Sequence, residues 1–447
     1  MTTAPPADDP EAGDERSDFE DYEDAYLEGD RTFAPGTARS AFTHRTFRTV
    51  YLGAFASNIG TWMQNVVLGA LAYKLTGSGT FVALVIAAQL GPLLLFSVVG
   101  GMIADAFDRK KALMLLSIQQ AIFSIVLALV TIPHDPNRVA LVGVVFVIGV
   151  GNALFAPIFS AVVPVLVPRR DLPGAISLNS VQMNASRVIG PVIGAGIYSR
   201  WGPSWVFVLN AVSFGFVIIS LTRVALPEAP ASGGQGLHRL LEGFQVARVD
   251  RVVRQCLTLI AVFSFLCLPF ITEMPKIAND HLGIDSKSSS YGVLYACFGL
   301  GAVIGALSIG TVFAQASKTR LTRQGLIGFA AMLTIFGLLR SAALAYVAIL
   351  VLGCVYFAVI TSLSTVLQER LDDKVRGKVM ALWIMGFGGV VPFGGLLGGT
   401  LMDHVGIAPV LVGGSLAALA LAWWGDLLPD TAAASSRRRI EPLDDSA

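Results

Sequence analysis

Charged residues are scarce in this chain. Only 14% of its 447 residues are Asp, Glu, Lys or Arg, whereas 54% are hydrophobic, and the mean hydropathy is +0.67. Soluble domains carry about 25% charged residues, so the shortage indicates an integral membrane protein. The net charge of +1 provides no basic excess for binding nucleic acid.

The residues that carry most enzyme chemistry are also few. The four cysteines lie in apolar segments without a Cys-x-x-Cys pair, and the five histidines show no metal-ligand spacing. The sequence contains no nucleotide-binding loop and no recognisable nucleophile motif. It therefore predicts a protein that is not an enzyme and has no metal or other cofactor, with the cysteines buried as small hydrophobic residues.

Both ends of the chain lack a long apolar run. Residues 1–46 have no apolar core of the kind found in a cleavable signal peptide, and the stretch from Asp8 to Asp30 is dense in acidic residues. Such a segment cannot bury enough apolar surface to fold, so we expect an acidic, disordered cytoplasmic tail over 1–46. A second cytoplasmic tail is expected over 428–447.

Apolar runs fill the rest of the chain. A spanning helix needs about 20 apolar residues, and the predicted spans are 47–73, 81–103, 112–132, 139–166, 174–198, 204–225, 252–275, 290–314, 324–340, 342–366, 377–402 and 407–427. They predict an N-terminal six-helix bundle over 47–226 and a C-terminal six-helix bundle over 252–427. The linker over 227–251 begins with a Pro/Gly/Ser segment and ends in an amphipathic pattern typical of a helix at the membrane surface.

Two further patterns organise these spans. Basic residues concentrate in the connections that follow even-numbered spans, so the positive-inside rule places these connections and both termini in the cytoplasm. The halves also repeat: residues 81–100 align with 291–310, and a glycine pattern recurs, in which Gly190, Gly194 and Gly202 align with Gly394, Gly398 and Gly406. Such a repeat is typical of a transporter built from two similar halves.

The connection between the second and third spans carries a distinctive pattern. Gly101 and Asp105 are followed by three consecutive bases, Arg109, Lys110 and Lys111. This spacing resembles the signature between transmembrane helices 2 and 3 of the major facilitator superfamily. The resemblance implies an all-α fold of twelve transmembrane helices in two pseudo-symmetric six-helix bundles, with residues 100–111 as a gating loop.

Other motifs resemble one bacterial branch of this superfamily. They are the runs 60–64, 75–78, 184–191 and 376–380. The branch includes enterobactin-type siderophore exporters and macrolide efflux proteins, so the resemblance implies a secondary transporter. Residues 68–70 depart from the branch, in which many members carry polar or aromatic residues there.

Arg187 is the most informative single residue. It lies about 20 Å into the fifth predicted span, where a charge costs at least about 2.5–3.5 kcal/mol. Asn184 shares its helical face, and both residues either line a substrate or proton pathway or belong to ordinary helix packing. Gly190, Pro191 and Gly194 follow, and they predict a helix bend or, alternatively, close packing of small residues.

Polar side chains within the other spans must find partners or line water. Asn58, Trp62 and Asn65 share one face of the first span, and we expect this face to point inward. The remaining pathway candidates are Gln64, Gln89, Asn152 and Glu273. Glu273 either takes up and releases a proton or forms an interfacial pair with Lys276.

These features favour a secondary active exporter of amphipathic, drug-like or siderophore-like organic molecules. Proton antiport with alternating access in the bacterial cytoplasmic membrane is the expected mechanism. The expected partners are a small-molecule substrate, protons and the lipid bilayer, and we expect a monomer. The alternatives are a proton-coupled importer of a nutrient or lipid, and a non-transporting membrane scaffold or sensor that works through the acidic tail.

Overall fold

A computed structural model describes residues 34–94, 96, 99, 108–224 and 236–425, and these ranges are almost entirely helical, with no β-strand within them. Residues 1–33 and 428–447 of the predicted tails lie outside the described residues. The disorder expected over 1–46 is wrong at its C-terminal end, where residues 38–43 form a helix and the helix Arg45–Thr76 begins. The twelve main helices are numbered in chain order: α1 Arg45–Thr76, α2 Gly79–Leu90, α3 Arg109–Val130, α4 Arg138–Val162, α5 Leu172–Trp201, α6 Pro203–Thr222, α7 Arg251–Cys267 with the short segments Pro269–Thr272 and Met274–Lys276, α8 Ser289–Gly310, α9 Lys318–Leu338, α10 Ala342–Arg370, α11 Asp373–Ile384, Met385–Gly389 and Val391–Val405, and α12 Ile407–Gly425.

Short polar residues and glycines set several helix ends. The Asp108 carboxylate accepts hydrogen bonds from the Lys110 and Lys111 amides and caps α3. Asp250 caps α7 in the same way. Gly77 ends α1 with φ 64°, a conformation that glycine adopts without steric cost. Each of the twelve predicted spans overlaps one of these helices.

The seventh span differs from its prediction. The sequence predicts one helix over 252–275, but α7 ends at Cys267 and continues only as short segments. Pro269 and Pro275 lack the amide hydrogen that a continuous helix needs, and a proline ring clashes with the preceding turn. The prediction of an uninterrupted span is therefore wrong here, and the break places Glu273 at a helix junction.

Helices α1–α6 pack together as one bundle, and α7–α12 pack as a second. The main contacts between the bundles are α5 with α8 and α2 with α11. Because the internal repeat equates α2 with α8 and α5 with α11, one pseudo-twofold rotation exchanges the two interfaces. Glycines permit the close approach: a Cβ at Gly292 would lie 2.6 Å from the Pro191 carbonyl oxygen, and one at Gly79 would lie 3.0 Å from the Gly399 carbonyl oxygen.

The surface of the bundles is apolar along the helix sides. Large side chains such as Leu115, Leu129 and Val139 are exposed there. Among the described residues, eight helices have the length and hydropathy to cross a membrane. Four helices fall outside this set. Helix α1 carries side-chain amides, α5 carries side-chain amides and Arg187, α2 is described only in part beyond Leu90, and α7 is interrupted. Such an exposed surface is stable in lipid and not in water.

The linker contains the helix that its amphipathic pattern predicts, Gly236–Val249. This helix packs against the first segment of α11, where a Cβ at Gly243 would lie 2.8 Å from the Lys378 carbonyl oxygen. An ion pair between Glu242 and Lys378 joins the same two helices. The linker is thereby attached to the second bundle, whereas residues 225–235 lie outside the described ranges.

Candidate functional site

The two ends of the bundles differ in chemistry. We call the end at which α1 meets α2 the Gly77 face, and the opposite end, where α3 begins with Arg109, Lys110 and Lys111, the basic face. The hydrogen bonds described between the two bundles lie at the Gly77 face. They include a contact between the Ser199 and Ser289 hydroxyls, 3.4 Å apart on α5 and α8.

Asp403 makes the most extensive of these contacts. Its carboxylate, near the end of α11, accepts hydrogen bonds from the Ser78 hydroxyl at 2.6 Å, the Gly79 amide at 2.8 Å and the Thr80 amide at 3.0 Å. Ser78 itself provides no side-chain cap for α2. The cap of α2 therefore comes from the other bundle, so the bundles must stay in contact for the helix to keep it.

Three further side chains extend this contact. Lys276 Nζ lies 3.0 Å from a carboxylate oxygen of Asp403 and 3.3 Å from one of Asp280. The Tyr73 hydroxyl, on α1, donates to Asp280. We call Asp403, Lys276, Asp280 and Tyr73 the Asp403 cluster. It joins α1 and α2 of the first bundle to α7 and α11 of the second.

Glu273 lies beside this cluster without a hydrogen-bond partner. Its side chain is 0% exposed, and neither carboxylate oxygen has a donor within the described part of the chain. The two oxygens face the closest approach of α2 and α11: they would lie 2.7 and 2.8 Å from a Cβ placed at Gly79 and Gly399, respectively. The pairing with Lys276, one of the two alternatives for Glu273, does not form, because Lys276 binds within the Asp403 cluster.

Arg187 lies between two aromatic rings that different bundles contribute. Its guanidinium carbon is 5.1 Å from the ring centroid of Trp62 on α1 and 4.7 Å from that of Phe357 on α10. Each cation–π contact contributes about 0.5–2 kcal/mol, against a cost of at least about 2.5–3.5 kcal/mol for a charge at this depth. Nη1 is buried without a partner among the described residues. Arg187 therefore faces the interface between the bundles with one donor unused.

Gln64 belongs to a buried polar network inside the first bundle. Its side-chain carbonyl accepts hydrogen bonds from Asn210 Nδ2 on α6 at 2.9 Å and from the Ser124 hydroxyl on α3 at 3.2 Å. Sequence reasoning missed Asn210 and Ser124, although single polar residues within apolar spans are the signal that could have identified them. Asn65 accepts a hydrogen bond from Gln89 on α2. These amides satisfy one another, as interhelical hydrogen bonds in membranes do.

The other three asparagines among the predicted pathway candidates are half-buried. Asn58 and Asn152 lie on α1 and α4, and Asn184 on α5 donates to the Ser180 carbonyl at 2.9 Å. Of the expected inward face of α1, the structure thus brings Trp62 to Arg187 and Asn65 to Gln89. Glu273 lies apart from them, at the Gly77 face.

The glycines of α5 allow it to pack directly on α1. A Cβ at Gly190 would lie 2.5 Å from Trp62 Cβ, and one at Gly194 would lie 2.9 Å from Met63 Cα. α5 continues as a helix through Pro191. These contacts are those of close packing by small residues, and the helix bend stays a prediction.

The predicted gating loop is only partly described. Its two N-terminal signature residues lie outside the described ranges, namely Gly101 and Asp105. Lys110 Nζ donates to the Val224 carbonyl after α6 at 2.7 Å, and Arg109 donates to the Ala161 carbonyl near the end of α4 at 3.2 Å. Lys111 is exposed and lies 3.8 Å from Asp108. The first two bases therefore bind carbonyls at helix C-termini, where a positive charge is favourable.

A buried acid that sequence reasoning missed precedes α5. Asp171 is 0% exposed and accepts hydrogen bonds from the Gly36 amide at 2.9 Å and the Ser40 hydroxyl at 2.8 Å, and it lies 2.8 Å from His44 Nε2. Burial by itself raises the pKa of Asp171, but these hydrogen bonds outweigh it and hold the pKa below its usual value. The carboxylate thus attaches the short helix Ala38–Thr43 to α5.

The same fold occurs in solved transporters. A variant of a nucleoside transporter superposes with a TM-score of 0.71 at 12% identity, covering 86% of this chain and 100% of that chain. A D-xylose–proton symporter gives 0.70 at 13% identity, covering 86% and 98%. The xylose transporter of E. coli, in its inward-open conformation, gives 0.67 at 14% identity, covering 86% and 96%. At these identities the likeness establishes the major facilitator fold alone.

The family follows from the sequence comparison. The model of the transmembrane secretion effector family matches residues 36–442, and the chain belongs to this family of major facilitator transporters. Enterobactin exporters of Shigella boydii serotype 4 and of Escherichia coli O139:H28 are each 26% identical to it over 348 residues, covering 76% of this chain and 81% of the relative. The protein is thus a multi-pass membrane transporter of small molecules and not an enzyme.

Proposed function

We propose that this chain exports amphipathic organic molecules of the drug or siderophore kind by proton antiport. Alternating access between the two bundles moves the substrate, in the cytoplasmic membrane of a bacterium. The enterobactin exporters among its relatives support the direction and the substrate class. The positive-inside rule supports a cytoplasmic position for the basic face and both termini, which puts the Gly77 face outside.

Glu273 is the observation that carries the antiport proposal. A desolvated carboxylate without a hydrogen-bond donor costs several kcal/mol, and the nearby Asp403 adds repulsion between like charges. The closed Gly77 face therefore favours the neutral acid. Once Glu273 has lost its proton toward the basic face, its buried charge favours opening of the Gly77 face, because opening separates α2 from α11 and hydrates the carboxylate. Closing it again requires Glu273 to take up a proton.

This requirement sets the direction of coupling. A proton taken up from outside permits return to the arrangement described here, in which the Gly77 face is closed. Substrate leaves in the opposite half-cycle, when the Gly77 face opens. Proton entry and substrate exit then alternate, as alternating access demands. Residues 100–111 contribute to the closure at the basic face in this scheme.

Proton flux in proteoliposomes tests the proposal. Purified protein is reconstituted with a pH-sensitive dye inside the vesicles, and enterobactin serves as the first substrate probe. Glu273→Gln keeps the shape of the side chain but cannot ionise, so substrate-induced proton flux should fall to background while substrate exchange continues. Glu369→Gln, which changes an exposed carboxylate on α10, is the matched control and should keep wild-type flux.

Two results would count against the proposal. Wild-type proton flux in the Glu273→Gln protein would remove Glu273 from the coupling step. Absence of a pH response with every transported probe would remove antiport itself. Counterflow in oriented vesicles distinguishes export from the import alternative, because the two directions load the substrate from opposite faces.

A further inference from the structure

Arg187 is a membrane-depth cation without a counterion among the described residues. It forms no ion pair there, and its Nη1 is buried and unpartnered. Among the described residues, Tyr356 on α10 is the titratable residue whose charge would act on it, and a tyrosine hydroxyl is ordinarily neutral at physiological pH. A buried guanidinium in this situation is poised to bind an anion that the protein itself does not supply.

The surroundings of the guanidinium restrict the kind of anion. Trp62 and Phe357 present ring faces to it, and the neighbouring turn of α5 packs on α8, where a Cβ at Gly299 would lie 3.2 Å from the Arg187 carbonyl oxygen. Flat apolar surfaces beside one charged donor suit a planar aromatic body that carries a single anionic group. Another cation would be repelled, and a neutral aromatic molecule would leave Nη1 unsatisfied.

We propose that Arg187, Trp62 and Phe357 form the substrate subsite that binds the carboxylate or phenolate of an aromatic anion. The proposal deepens the export function given above and rests on it. Trp62 belongs to the first bundle and Phe357 to the second, so a ligand held here contacts both moving bodies. Its binding therefore depends on how the bundles are arranged.

Three probes of one shape test the charge preference. They are 2-naphthoate, 2-naphthalenemethanol and 2-naphthylmethylammonium, and their binding to the purified full-length protein in lipid nanodiscs is measured by calorimetry. A hydrogen bond between charged partners predicts that naphthoate binds about 10-fold or more tightly than the alcohol. The ammonium probe should bind most weakly.

Substitutions assign the preference to one residue. Arg187→Gln should bring naphthoate and the alcohol to nearly equal affinity without abolishing binding of the alcohol. Arg187→Lys keeps the charge and should retain part of the preference, which provides a second test if the Gln variant does not fold. Arg200→Gln, at an exposed position on the same helix, should keep the wild-type preference.

Three outcomes would overturn the subsite. They are equal wild-type affinity for naphthoate and the alcohol, no wild-type binding of naphthoate, and an unchanged preference in the Arg187→Gln protein. The calorimetry uses no proton gradient, so its outcome is independent of the flux assay. Failure of antiport with intact anion selectivity, or the reverse, therefore identifies which of the two proposals is wrong.

Discussion

Replacing Asp403 by Asn should open the Gly77 face. The substitution keeps the side-chain shape but removes the charge that binds the N-terminus of α2 and Lys276. One carboxylate oxygen becomes an amide NH2 that cannot accept, so a donor on Ser78, Gly79 or Thr80 loses its acceptor at a cost of about 1–3 kcal/mol. Loss of a partly exposed ion pair costs about 0.2–1 kcal/mol. A combined loss of about 2 kcal/mol lowers the ratio of closed to open protein about 30-fold.

Disulfide cross-linking in the other interface measures this ratio. Ser199 and Ser289 join α5 to α8 at the same face, and their hydroxyls are 3.4 Å apart. Cysteines introduced at both positions, in a protein whose four native cysteines are replaced, should cross-link only while the face is closed. In the proposed alternating-access cycle the bundles move as bodies, so breaking the contact between α2 and α11 should also reduce cross-linking between α5 and α8.

The control is Asp135→Asn, which removes an exposed acid in the α3–α4 connection on the same face. It should cross-link at the rate of the parent protein. Equal cross-linking in the Asp403→Asn protein would show that the cap from α11 does not determine closure. The reasoning from the Asp403 cluster would then be refuted.

Two further predictions concern stability. The lowered pKa of Asp171 means that its contribution is present above the ordinary Asp pKa of about 3.9 and is lost as pH falls below it. Hydrogen exchange corrected for intrinsic rates should therefore show residues 38–48 protected near neutral pH, with protection that declines progressively as pH falls below about 4. Asp171→Asn should remove the protection at neutral pH, and unchanged protection would contradict this. Gly305→Ala places a Cβ 1.9 Å from the Cys354 carbonyl oxygen and should cost about 1–3 kcal/mol. In thermal unfolding, the Gly305→Ala protein should have a lower Tm than the Gly310→Ala protein, because a Cβ at Gly310 would have no neighbouring atom within 4 Å. Equal Tm values would exclude the steric explanation.

Much of the fold was predictable because every spanning helix must cross the same thickness of hydrocarbon. A run of about 20 apolar residues is recognisable without knowledge of its neighbours, and the repeat shows that two halves share one plan. The interruption of α7 was also visible in principle, since Pro269 and Pro275 lie within six residues of each other. The prediction missed this interruption because the apolar run is long enough to cross the membrane as one helix.

The candidate site was predictable only in part. A deep charge such as Arg187 is conspicuous in an apolar span, and so is the carboxyl of Glu273. Neither Asp403 nor Asp171 stands out, because an acid beside a membrane helix is usually solvated. Their roles depend on partners at Ser78–Thr80 and Gly36–His44, which are remote along the chain.

The sequence alone determined that this chain lies in a membrane, has two similar halves and carries a cation at depth, because composition, periodicity and repeats are properties of the chain itself. Tertiary structure decided which groups have partners. Asp403 caps a helix of the other bundle, Glu273 has no donor within the described residues, and Arg187 meets one ring from each bundle. Hydrogen bonds and ring contacts act over a few ångströms, so they depend on how segments that are remote in the sequence pack together. A local sequence pattern does not encode that packing.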